Sequence, residues 1–528
     1  MERKLSISVQ DFEKLRTDHF IYADKTEFVW KLARQNAQYF LSRPRRFGKS
    51  LLLSTMKAYW EGRRELFSGL KVEELERDNP DAWKKYPVFY FDFNGQNYED
   101  RTALDDVLTE QLERWELEYG IEKPVKRLAG RFGDLLIRAK ERTGLRSVVL
   151  VDEYDKPLLD AIGNPETEQH NKAVFKGFFS CLKSYDEYIQ FAFVTGVTKF
   201  EKVSIFSDLN QLNDISFYKE YAGICGITER ELHDCYDPEV REAAAAQDID
   251  TQACYQKLKE RYDGYRFHPA GVPVYNPFSL LKSLSEKDFG AYWFATGTPE
   301  FLVHMLKDSG FDMRKLTNRT LYASEATLSD YRADRMDPVP LLYQTGYLTI
   351  VDYDARRRRY TLAVPNEEVE YGLIESLMPV YTPGLNSGNG MDIYTLDQYV
   401  EEGDTDGIRD IFVSLFASIP YTHERDPFEN YFQSVIYLVF KLLGRYALCE
   451  MHSFKGRVDC IAETERFIYI FEFKCDDSAE AALKQIEDRQ YAKPYQADPR
   501  KMFMIGAAFD SKERMLTEWE VMARPARI

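Results

Sequence analysis

The sequence is poor in the residues that build disulfide frameworks, zinc sites and membrane spans. Its seven cysteines form no C-x-x-C pair and its seven histidines no H-x-x-x-H pair, which argues against zinc ribbons and disulfide scaffolds. The apolar stretch SVIYLVFKLLG is about half a membrane span and contains Lys441. The first residues, MERKLSISVQDFEKLR, lack the apolar core of a signal peptide. These absences predict a cytoplasmic protein with reduced thiols and no membrane partner.

Positive charge is also in deficit, since the formal net charge is -17. Such a balance argues against a chain coated with nucleic acid along its length, but it does not exclude a local basic channel. Hydrophobic residues make up 44% and charged residues 30% of the 528 positions, which is an ordinary globular composition. This length has room for roughly two to four domains.

Strand-like apolar runs alternate with helical segments over residues 1–225. The runs are AQYFLSRP, PVFYFDF, SVVLVDE and IQFAFVTG. Short apolar runs of this kind are typical of buried parallel strands. Their alternation with helices predicts an α/β domain built on a parallel sheet that is covered on both faces.

Residues 226–385 have a mainly helical pattern with one exception. The segment Leu341–Leu373 predicts helix, strand, turn, strand and helix, the order of a winged-helix unit. Its tract Arg356–Arg359 has three open interpretations: a DNA-backbone contact, a solvated hairpin tip, or a contact with the first domain. The glycine-rich and proline-containing stretch TPGLNSGNG predicts a linker, and residues 391–528 predict a final α/β domain.

The stretch SRPRRFGKSLL contains the end of a phosphate-binding loop without its first glycine. The general pattern G-x-x-x-x-G-K-[ST] has glycine where this chain has Arg43. A strand-like YFL precedes the loop and a helical segment follows it, as a phosphate site at a helix N-terminus requires. In that frame Lys49 is predicted to contact the β- and γ-phosphates and Ser50 to bind Mg²⁺. Taken alone, the sequence Gly48-Lys49-Ser50 is as compatible with an ordinary surface loop as with a phosphate site.

Two other strand ends carry polar groups that match such a site. The apolar run SVVLV leads directly into Asp152 and Glu153. Asp152 is predicted to complete the Mg²⁺ shell, and Glu153 to polarise the attacking water. The run IQFAFV ends in Thr195, whose hydroxyl is predicted to contact the γ-phosphate or the water. The alternative is that all three are ordinary strand ends.

Several long segments resemble one known family. SRPRRFGKSLLLSTMKAYWEG, VVLVDEYDKPLLD, FVTGVTKFEKVSIFSDLNQLNDIS, ERYDGYRF and VYNPFSLL look like the AAA-ATPase-like family, which is widespread in bacteria, notably in Bacteroidetes. In that family the loop form seen here is usual, so Arg43 departs only from the general pattern. The resemblance implies ATP binding and leaves hydrolysis open. The residues predicted to bind the nucleotide are Phe47, Gly48, Lys49, Ser50, Leu51, Asp152 and Thr195. Because they lie beside the loop and an arginine fork suits phosphate oxygens, at least one of Arg45 and Arg46 is also predicted to contact phosphate. The alternative for these two is a solvated basic loop.

A second candidate site lies in GRVDCIAETERFIYIFEFKC, which predicts a β-hairpin. Glu472 and Lys474 share a face at the end of a buried strand, where a charge needs a partner. Asp459 lies on the neighbouring strand, and with the carbonyl of Phe473 the two carboxylates would form an oxygen site for Mg²⁺ or Mn²⁺. Lys474 would orient or deprotonate a water there. The alternative is a structural Glu–Lys pair.

Flanking helices extend this pattern. Glu429 lies in the upstream segment DPFENYFQSVIYLVFKLL, and Gln485 in the downstream segment DDSAEAALKQIEDRQYAKPY. The order of helix Glu, strand Asp, strand E-x-K and helix Gln resembles the PD-(D/E)XK nuclease superfamily. The resemblance implies two metal ligands, Asp459 and Glu472. The catalytic residues that it implies are Asp459, Glu472, Lys474, Glu429 and Gln485.

Two functions are compatible with these patterns. One is an ATP-regulated, Mg²⁺-dependent nuclease acting on DNA or RNA. The other is a signalling or scaffold NTPase whose C-terminal domain binds nucleic acid or a partner without cutting. A defence role against phage or mobile DNA rests on analogy with other ATPase–nuclease fusions. A homo-oligomeric state is compatible with either function.

Overall fold

The structure is a computed structural model that describes residues 3–35, 38–199, 211–293, 321–329, 337–381, 393–417, 446–453, 456–510 and 515–526, with isolated positions between these ranges. The chain divides into two compact units. Unit 1 consists of Met1–Trp293, Tyr322–Arg335 and Val339–Glu368, and unit 2 of Phe294–Leu321, Met336–Pro338 and Val369–Ile528. Within the described ranges, no helix is long and apolar enough to cross a membrane.

Unit 1 contains a five-stranded sheet with helices between its strands. The strands are β1 (Gln38–Ser42), β2 (Val88–Asp92), β3 (Ser147–Asp152), β4 (Ile189–Gly196) and β5 (Asn213–Asp214). The helices are α1 (Phe12–Thr17), α2 (Thr26–Ala33), α3 (Lys49–Trp60), α4 (Lys71–Leu75), α5 (Ala103–Tyr119), α6 (Leu128–Thr143), α7 (Lys156–Leu159), α8 (Pro165–Phe179), α9 (Cys181–Ser184), α10 (Glu229–Ala246), α11 (Thr251–Tyr262) and α12 (Pro277–Glu286). The strand order is β2-β3-β4-β1-β5 and each pairing is parallel, which confirms the predicted parallel sheet.

The sheet of unit 1 is buried because its strands are apolar along their length. Every residue of β3 is buried, as expected for a parallel strand covered on both faces. Phe91 of β2 packs on Phe132 of α6 and Phe178 of α8, with ring centroids 5.1 and 5.3 Å away. Since parallel strands end at one edge of a sheet, the ends of β1, β3 and β4 lie side by side.

The helices α10, α11 and α12 form a separate apolar cluster in unit 1. Helix α10 begins with a capping box in which Thr228 and Glu231 bond to each other's backbone N–H groups. Its Leu232 packs in one core with Leu258 of α11 and Leu280 of α12. This cluster accounts for the helical pattern that begins near residue 226.

The region around residues 341–373 has the predicted order of helix, strand, turn, strand and helix. Its elements and those just before it are β6 (Leu321–Ala323), α13 (Glu325–Ser329), α14 (Val339–Thr345), β7 (Thr349–Asp354), β8 (Arg359–Ala363) and α15 (Glu367–Tyr381). Strands β7 and β8 are antiparallel, and β6 lies beside β8. Arg357 pairs with Asp354 at 3.3 Å, and the Arg359 guanidinium lies 4.0 Å from the ring centre of Tyr322. The winged-helix role and the DNA contact stay predictions.

Unit 2 contains a second five-stranded sheet. Its elements are α16 (Ile393–Glu402), α17 (Thr405–Ala417), β9 (Tyr446–Ser453), β10 (Gly456–Glu463), β11 (Phe467–Cys475), α18 (Ala479–Asp488), β12 (Lys501–Asp510) and β13 (Met515–Arg524). The order is β13-β12-β11-β10-β9, with a parallel pair β11–β12 joined through α18 and antiparallel pairs elsewhere. The predicted hairpin is confirmed. The linker predicted at residues 382–390 and the predicted helix with Glu429 lie outside the described residues.

Candidate nucleotide and metal sites

The loop between β1 and α3 has the backbone of an anion site at a helix N-terminus. Gly48 is the N-terminal cap of α3 and has a φ of +90°, and Arg46 has a φ of +68°. Both values lie in the left-handed region, so the loop turns sharply twice before the helix begins. In the described part of the chain no side chain caps α3. Its first backbone N–H groups are therefore oriented for an anion.

Lys49 is held at this loop by the loop's own backbone. Its side chain is buried, and its Nζ donates to the carbonyl oxygens of Arg43 at 3.0 Å and of Pro44 at 3.1 Å. Its charge therefore lies at the turn itself, where the sequence pattern predicted a phosphate contact. Carbonyl oxygens are neutral partners, so an anionic phosphate would be a stronger acceptor for the same ammonium group.

Arg43, at the position of the missing glycine, points into the protein. It is 1% exposed, and its guanidinium donates to the carbonyl oxygens of Ser42, Ser216 and Tyr221 at 2.8, 2.9 and 3.1 Å. The guanidinium carbon also lies 3.9 Å from the ring centre of Phe267. Burial lowers the pKa of Arg43. Arg43 thus braces the loop from behind, a role that the pattern of nearby residues did not indicate.

We expect Arg43→Lys to lower the stability of unit 1 by about 2–4 kcal/mol, because a lysine cannot fork between separated carbonyl oxygens or stack on Phe267. The affinity for ATP should fall with it, since the brace fixes the loop. Thermal unfolding and nucleotide titration measure both quantities. Arg45→Lys is the matched control, since Arg45 is an exposed residue of the same loop and should change stability by less than about 0.5 kcal/mol. Equal losses of unfolding free energy in Arg43→Lys and Arg45→Lys would contradict the bracing role.

The next two arginines of the loop, Arg45 and Arg46, differ in the groups that they act on. Arg46 is exposed, donates to Ser8 Oγ at 3.2 Å and lies with its guanidinium carbon 4.5 Å from the ring centre of Phe278. Arg45 is exposed; burial raises the pKa of Glu153, and the positive charge of Arg45 partly opposes that rise. Of the two, Arg45 is therefore the one whose charge acts on the predicted catalytic acid.

The remaining loop residues fall into a packed group and an open group. Phe47 is buried against Tyr265 and Phe267, with ring centroids 4.8 and 5.8 Å away. Ser50 and Leu51 lie in the first turn of α3 and are partly exposed. Phe47 therefore anchors the loop to the ERYDGYRF segment, while Ser50 is left accessible at the helix N-terminus.

The predicted residues of β3 and β4 meet each other. Thr195 Oγ1 donates to Asp152 Oδ1 at 2.9 Å, and the Tyr90 hydroxyl donates to Asp152 Oδ2 at 3.3 Å. Asp152 and Thr195 are both buried. In the described residues, no group of three or more His, Cys, Asp or Glu side chains is arranged for a metal. A Mg²⁺ held by Asp152 and Ser50 would therefore complete its shell with phosphate and water oxygens, which suits this ion.

The turn after Asp152 contains the predicted catalytic acid and one acid that the pattern missed. Glu153 has a φ of +49°; burial raises its pKa, while Lys49 acts in the opposite direction. Asp155 is buried and accepts hydrogen bonds from the backbone of Val197 and Thr198. The third acid in VDEYDKP was the only sequence signal for Asp155, and it does not reveal the partner segment.

In unit 2 the β10–β11 register brings the two predicted metal ligands together. The two strands are antiparallel and Cys460 pairs with Phe471. Asp459 and Glu472 therefore lie opposite each other, one pair further along the strands. Asp459 Oδ2 accepts from the backbone N–H of Phe473 at 2.9 Å. Burial and the charge of Asp459 raise the pKa of Glu472 above the usual range of a glutamate.

Glu472 has the features of a cation ligand. It is 1% exposed, and its Oε2 has no hydrogen-bond partner within the described part of the chain. A buried carboxylate oxygen without a donor is costly unless a cation or water meets it. With Asp459 beside it, the donor set is two carboxylates and nearby carbonyl oxygens, which fits Mg²⁺ or Mn²⁺ with several waters.

Gln485 and Lys474 complete the predicted cluster. Gln485 Nε2 donates to Glu472 Oε1, and Lys474 Nζ donates to Gln485 Oε1 at 2.7 Å. Lys474 Nζ lies 3.6 Å from Glu472 Oε1. The structure thus gathers four of the five residues predicted for this site. The fifth, Glu429, lies outside the described residues.

Gly506 allows α18 to approach this site. It is the register partner of Glu472 on β12, and a Cβ atom there would lie 2.2 Å from the carbonyl oxygen of Ala479 in α18. Backbone that close cannot move aside without shifting the helix that carries Gln485. The sequence could not show this requirement, because it depends on how α18 packs on the sheet.

We expect Gly506→Ala to destabilise unit 2 by about 1–3 kcal/mol through overpacking and to impair metal binding by displacing Gln485. Unfolding curves and metal titration measure the two effects. Gly177→Ala is the matched control, since a Cβ on Gly177 of α8 would have nothing within 4 Å and alanine favours a helix. A Gly506→Ala protein with native stability would show that α18 is not packed tightly on β12.

Comparisons with known proteins cover both units. Residues 6–206 match the family model described as a predicted AAA-ATPase, and residues 427–519 match the model of the PD-(D/E)XK nuclease superfamily. Over 528 residues the chain is 36% identical to a protein of Azotobacter chroococcum mcd 1 described as "Uncharacterized protein in vnfD 5'region". That match spans 98% of this chain and 99% of the Azotobacter protein.

Proposed function

The chain belongs to a family that joins a predicted AAA-ATPase domain to a PD-(D/E)XK nuclease superfamily domain, and from this premise we propose that it is an ATP-binding, metal-dependent nuclease. One observation carries the proposal. Glu472, Lys474 and Gln485 are linked side chain to side chain, and the buried Glu472 keeps one oxygen without a partner among the described residues. Such a cluster is poorly explained by a structural ion pair, which would satisfy both oxygens.

At the nuclease site each residue has a distinct task. Asp459, Glu472 and the carbonyl of Phe473 would hold Mg²⁺ or Mn²⁺, which supplies Lewis-acid activation of the phosphodiester. Lys474 would bind the attacking water or offset charge on the phosphate. Gln485 holds Lys474 and Glu472 in fixed orientation through its two ends, so that neither side chain has to reorganise during the reaction.

At the nucleotide site the loop would bind ATP through α3 and Lys49. Ser50 and Asp152 would hold Mg²⁺, and Thr195 fixes Asp152 by its hydrogen bond. Glu153 would accept a hydrogen bond from the attacking water, and its half-buried position near Lys49 supports that role. This assignment makes the protein an ATPase in addition to an ATP-binding protein.

We further propose that the ATP state regulates cleavage. A Cβ atom on Gly346 would lie 2.8 Å from Pro44 of the phosphate loop, so the turn before β7 packs directly on that loop. The same module leads through β8 into α15, which begins in unit 1 and continues into unit 2. A loop that moves on binding ATP would therefore act on one of the segments through which the chain passes between the two units.

The test is cleavage of single-stranded DNA, double-stranded DNA and RNA by the purified chain, with Mg²⁺ or Mn²⁺ and with or without ATP. We expect cleavage that requires the divalent metal, is abolished by chelation and changes rate with ATP. A protein that binds ATP but cuts no substrate with either metal would overturn the nuclease. That outcome would favour an NTPase whose C-terminal domain only binds. Cleavage that is indifferent to ATP would overturn the regulation alone.

A further inference from the structure

Asp155 lies at the meeting point of the strand ends that form the nucleotide site. Its Oδ2 accepts from the backbone N–H of Val197 at 3.0 Å and of Thr198 at 2.6 Å, and from Thr198 Oγ1 at 2.7 Å. The carboxylate is 1% exposed. Burial of a carboxylate is costly unless hydrogen bonds offset it. Three donors on one oxygen of Asp155 offset that cost, and they fix the segment that supplies them.

That segment, Val197–Lys199, is the exit of β4, and it is held from other sides as well. Ser42 Oγ, at the end of β1, donates to the carbonyl oxygen of Val197 at 2.7 Å. The Tyr154 hydroxyl donates to the carbonyl oxygen of Thr198 at 2.9 Å. The β4 exit therefore connects the strand before the phosphate loop with the strand that carries Asp152.

The turn that contains Asp155 also contacts the two residues before this exit. The backbone N–H of Tyr154 donates to the carbonyl oxygen of Thr195 at 3.0 Å. A Cβ atom on Gly196 would lie 2.5 Å from Asp155 Oδ1. Glycine is thus the residue that lets the carboxylate reach across β4, and the close approach leaves Thr195 little freedom to move relative to Asp152.

We propose that Asp155 is a positioning residue of the nucleotide site: it fixes the β4 exit so that Thr195 holds Asp152 in the orientation that binds Mg²⁺. This inference rests on the proposed ATP site but adds a role to a residue that touches neither nucleotide nor metal. Its effect reaches the site through two bonds, from Asp155 to the β4 exit and from Thr195 to Asp152. Lys49 makes no hydrogen bond in this chain of contacts, and only its charge acts on Asp155. We therefore expect the contacts of Lys49 and the α3 N-terminus with the phosphates to be largely kept when the β4 exit loosens.

The test compares Thr198→Val, Thr198→Ser and Asp155→Asn in the full chain. Valine keeps the shape of Thr198 but removes the hydroxyl that donates to Asp155, serine restores the hydroxyl, and asparagine keeps the size of Asp155 without its charge. We expect Thr198→Val and Asp155→Asn to lower kcat for ATP hydrolysis on the order of ten- to a hundredfold, as for a displaced catalytic group. ATP affinity in chelator should stay within about twofold of native, and Thr198→Ser should recover the native rate.

The gain in ATP affinity that Mg²⁺ produces is the second readout, and it does not require turnover. We expect this gain to shrink in Thr198→Val and Asp155→Asn and to be native in Thr198→Ser. Native kcat and native Mg²⁺ gain in Thr198→Val would overturn the role of Asp155, and so would equal losses of affinity with and without Mg²⁺. A native chain that binds ATP without hydrolysing it would overturn only the ATPase activity. The gain in ATP affinity that Mg²⁺ produces would still test the role of Asp155. A native chain with no Mg²⁺ gain would overturn the proposed metal site and this role together.

Discussion

Glu472→Gln is expected to reduce metal-dependent cleavage of nucleic acid by at least about a thousandfold, which corresponds to about 4 kcal/mol of lost transition-state stabilisation. The substitution keeps the size of the side chain and an oxygen that can accept from Gln485. It removes the negative charge that would bind the metal. The loss should therefore fall on metal affinity and on the reaction, while the fold of unit 2 is retained.

The measurement is a cleavage rate at saturating Mn²⁺ or Mg²⁺ combined with calorimetric titration of the metal. Glu480→Gln is the matched control, because Glu480 lies exposed in the first turn of α18 and bears the same charge near the same helix. We expect the control to cleave as the native chain does. Cleavage by Glu472→Gln at the native rate would remove Glu472 from the site, and equal losses in both variants would indicate a general charge effect.

The sequence predicted the edge of the first sheet well because parallel strands impose that geometry. Four apolar runs of the right length implied buried strands, and parallel pairing then brought Asp152 and Thr195 to one edge. The hairpin of unit 2 was predictable for a similar reason. A short turn fixes the register, and the register alone sets Asp459 beside Glu472.

Contacts between distant segments could not be predicted in this way. Arg43 is buried by carbonyl groups of Ser216 and Tyr221, more than 170 positions along the chain, and nothing near Arg43 indicates them. Asp155 binds a strand exit 42 and 43 positions away. Gly506 matters because a helix packs on it. In each case the residue is explained by tertiary packing, which the local pattern of apolar and polar residues does not indicate.

Lys49→Ala is expected to weaken ATP binding by at least about a hundredfold, since a charge-assisted contact to phosphate contributes about 1.5–3 kcal/mol and Lys49 is predicted to make more than one. The fold should tolerate the change. Lys49 donates only to carbonyl oxygens of its own loop, so its loss breaks no direct ion pair, although the pKa values of Glu153 and Asp155 should rise without its charge. Lys57→Ala is the matched control, because Lys57 is an exposed lysine of the same helix.

The Lys49→Ala variant also distinguishes the effect of ATP on cleavage from the cleavage reaction itself. If ATP acts through the phosphate loop, Lys49→Ala should cleave at the ATP-free rate whether or not ATP is present, while Lys57→Ala responds as the native chain does. The reason is that the proposed metal ligands Asp459 and Glu472 lie in unit 2, whereas Lys49 lies in unit 1. Cleavage rates measured across an ATP titration test this expectation. A Lys49→Ala protein that binds ATP with native affinity would exclude the loop as the nucleotide site. One that has lost ATP binding yet still changes its rate with ATP would require a second nucleotide site in the chain.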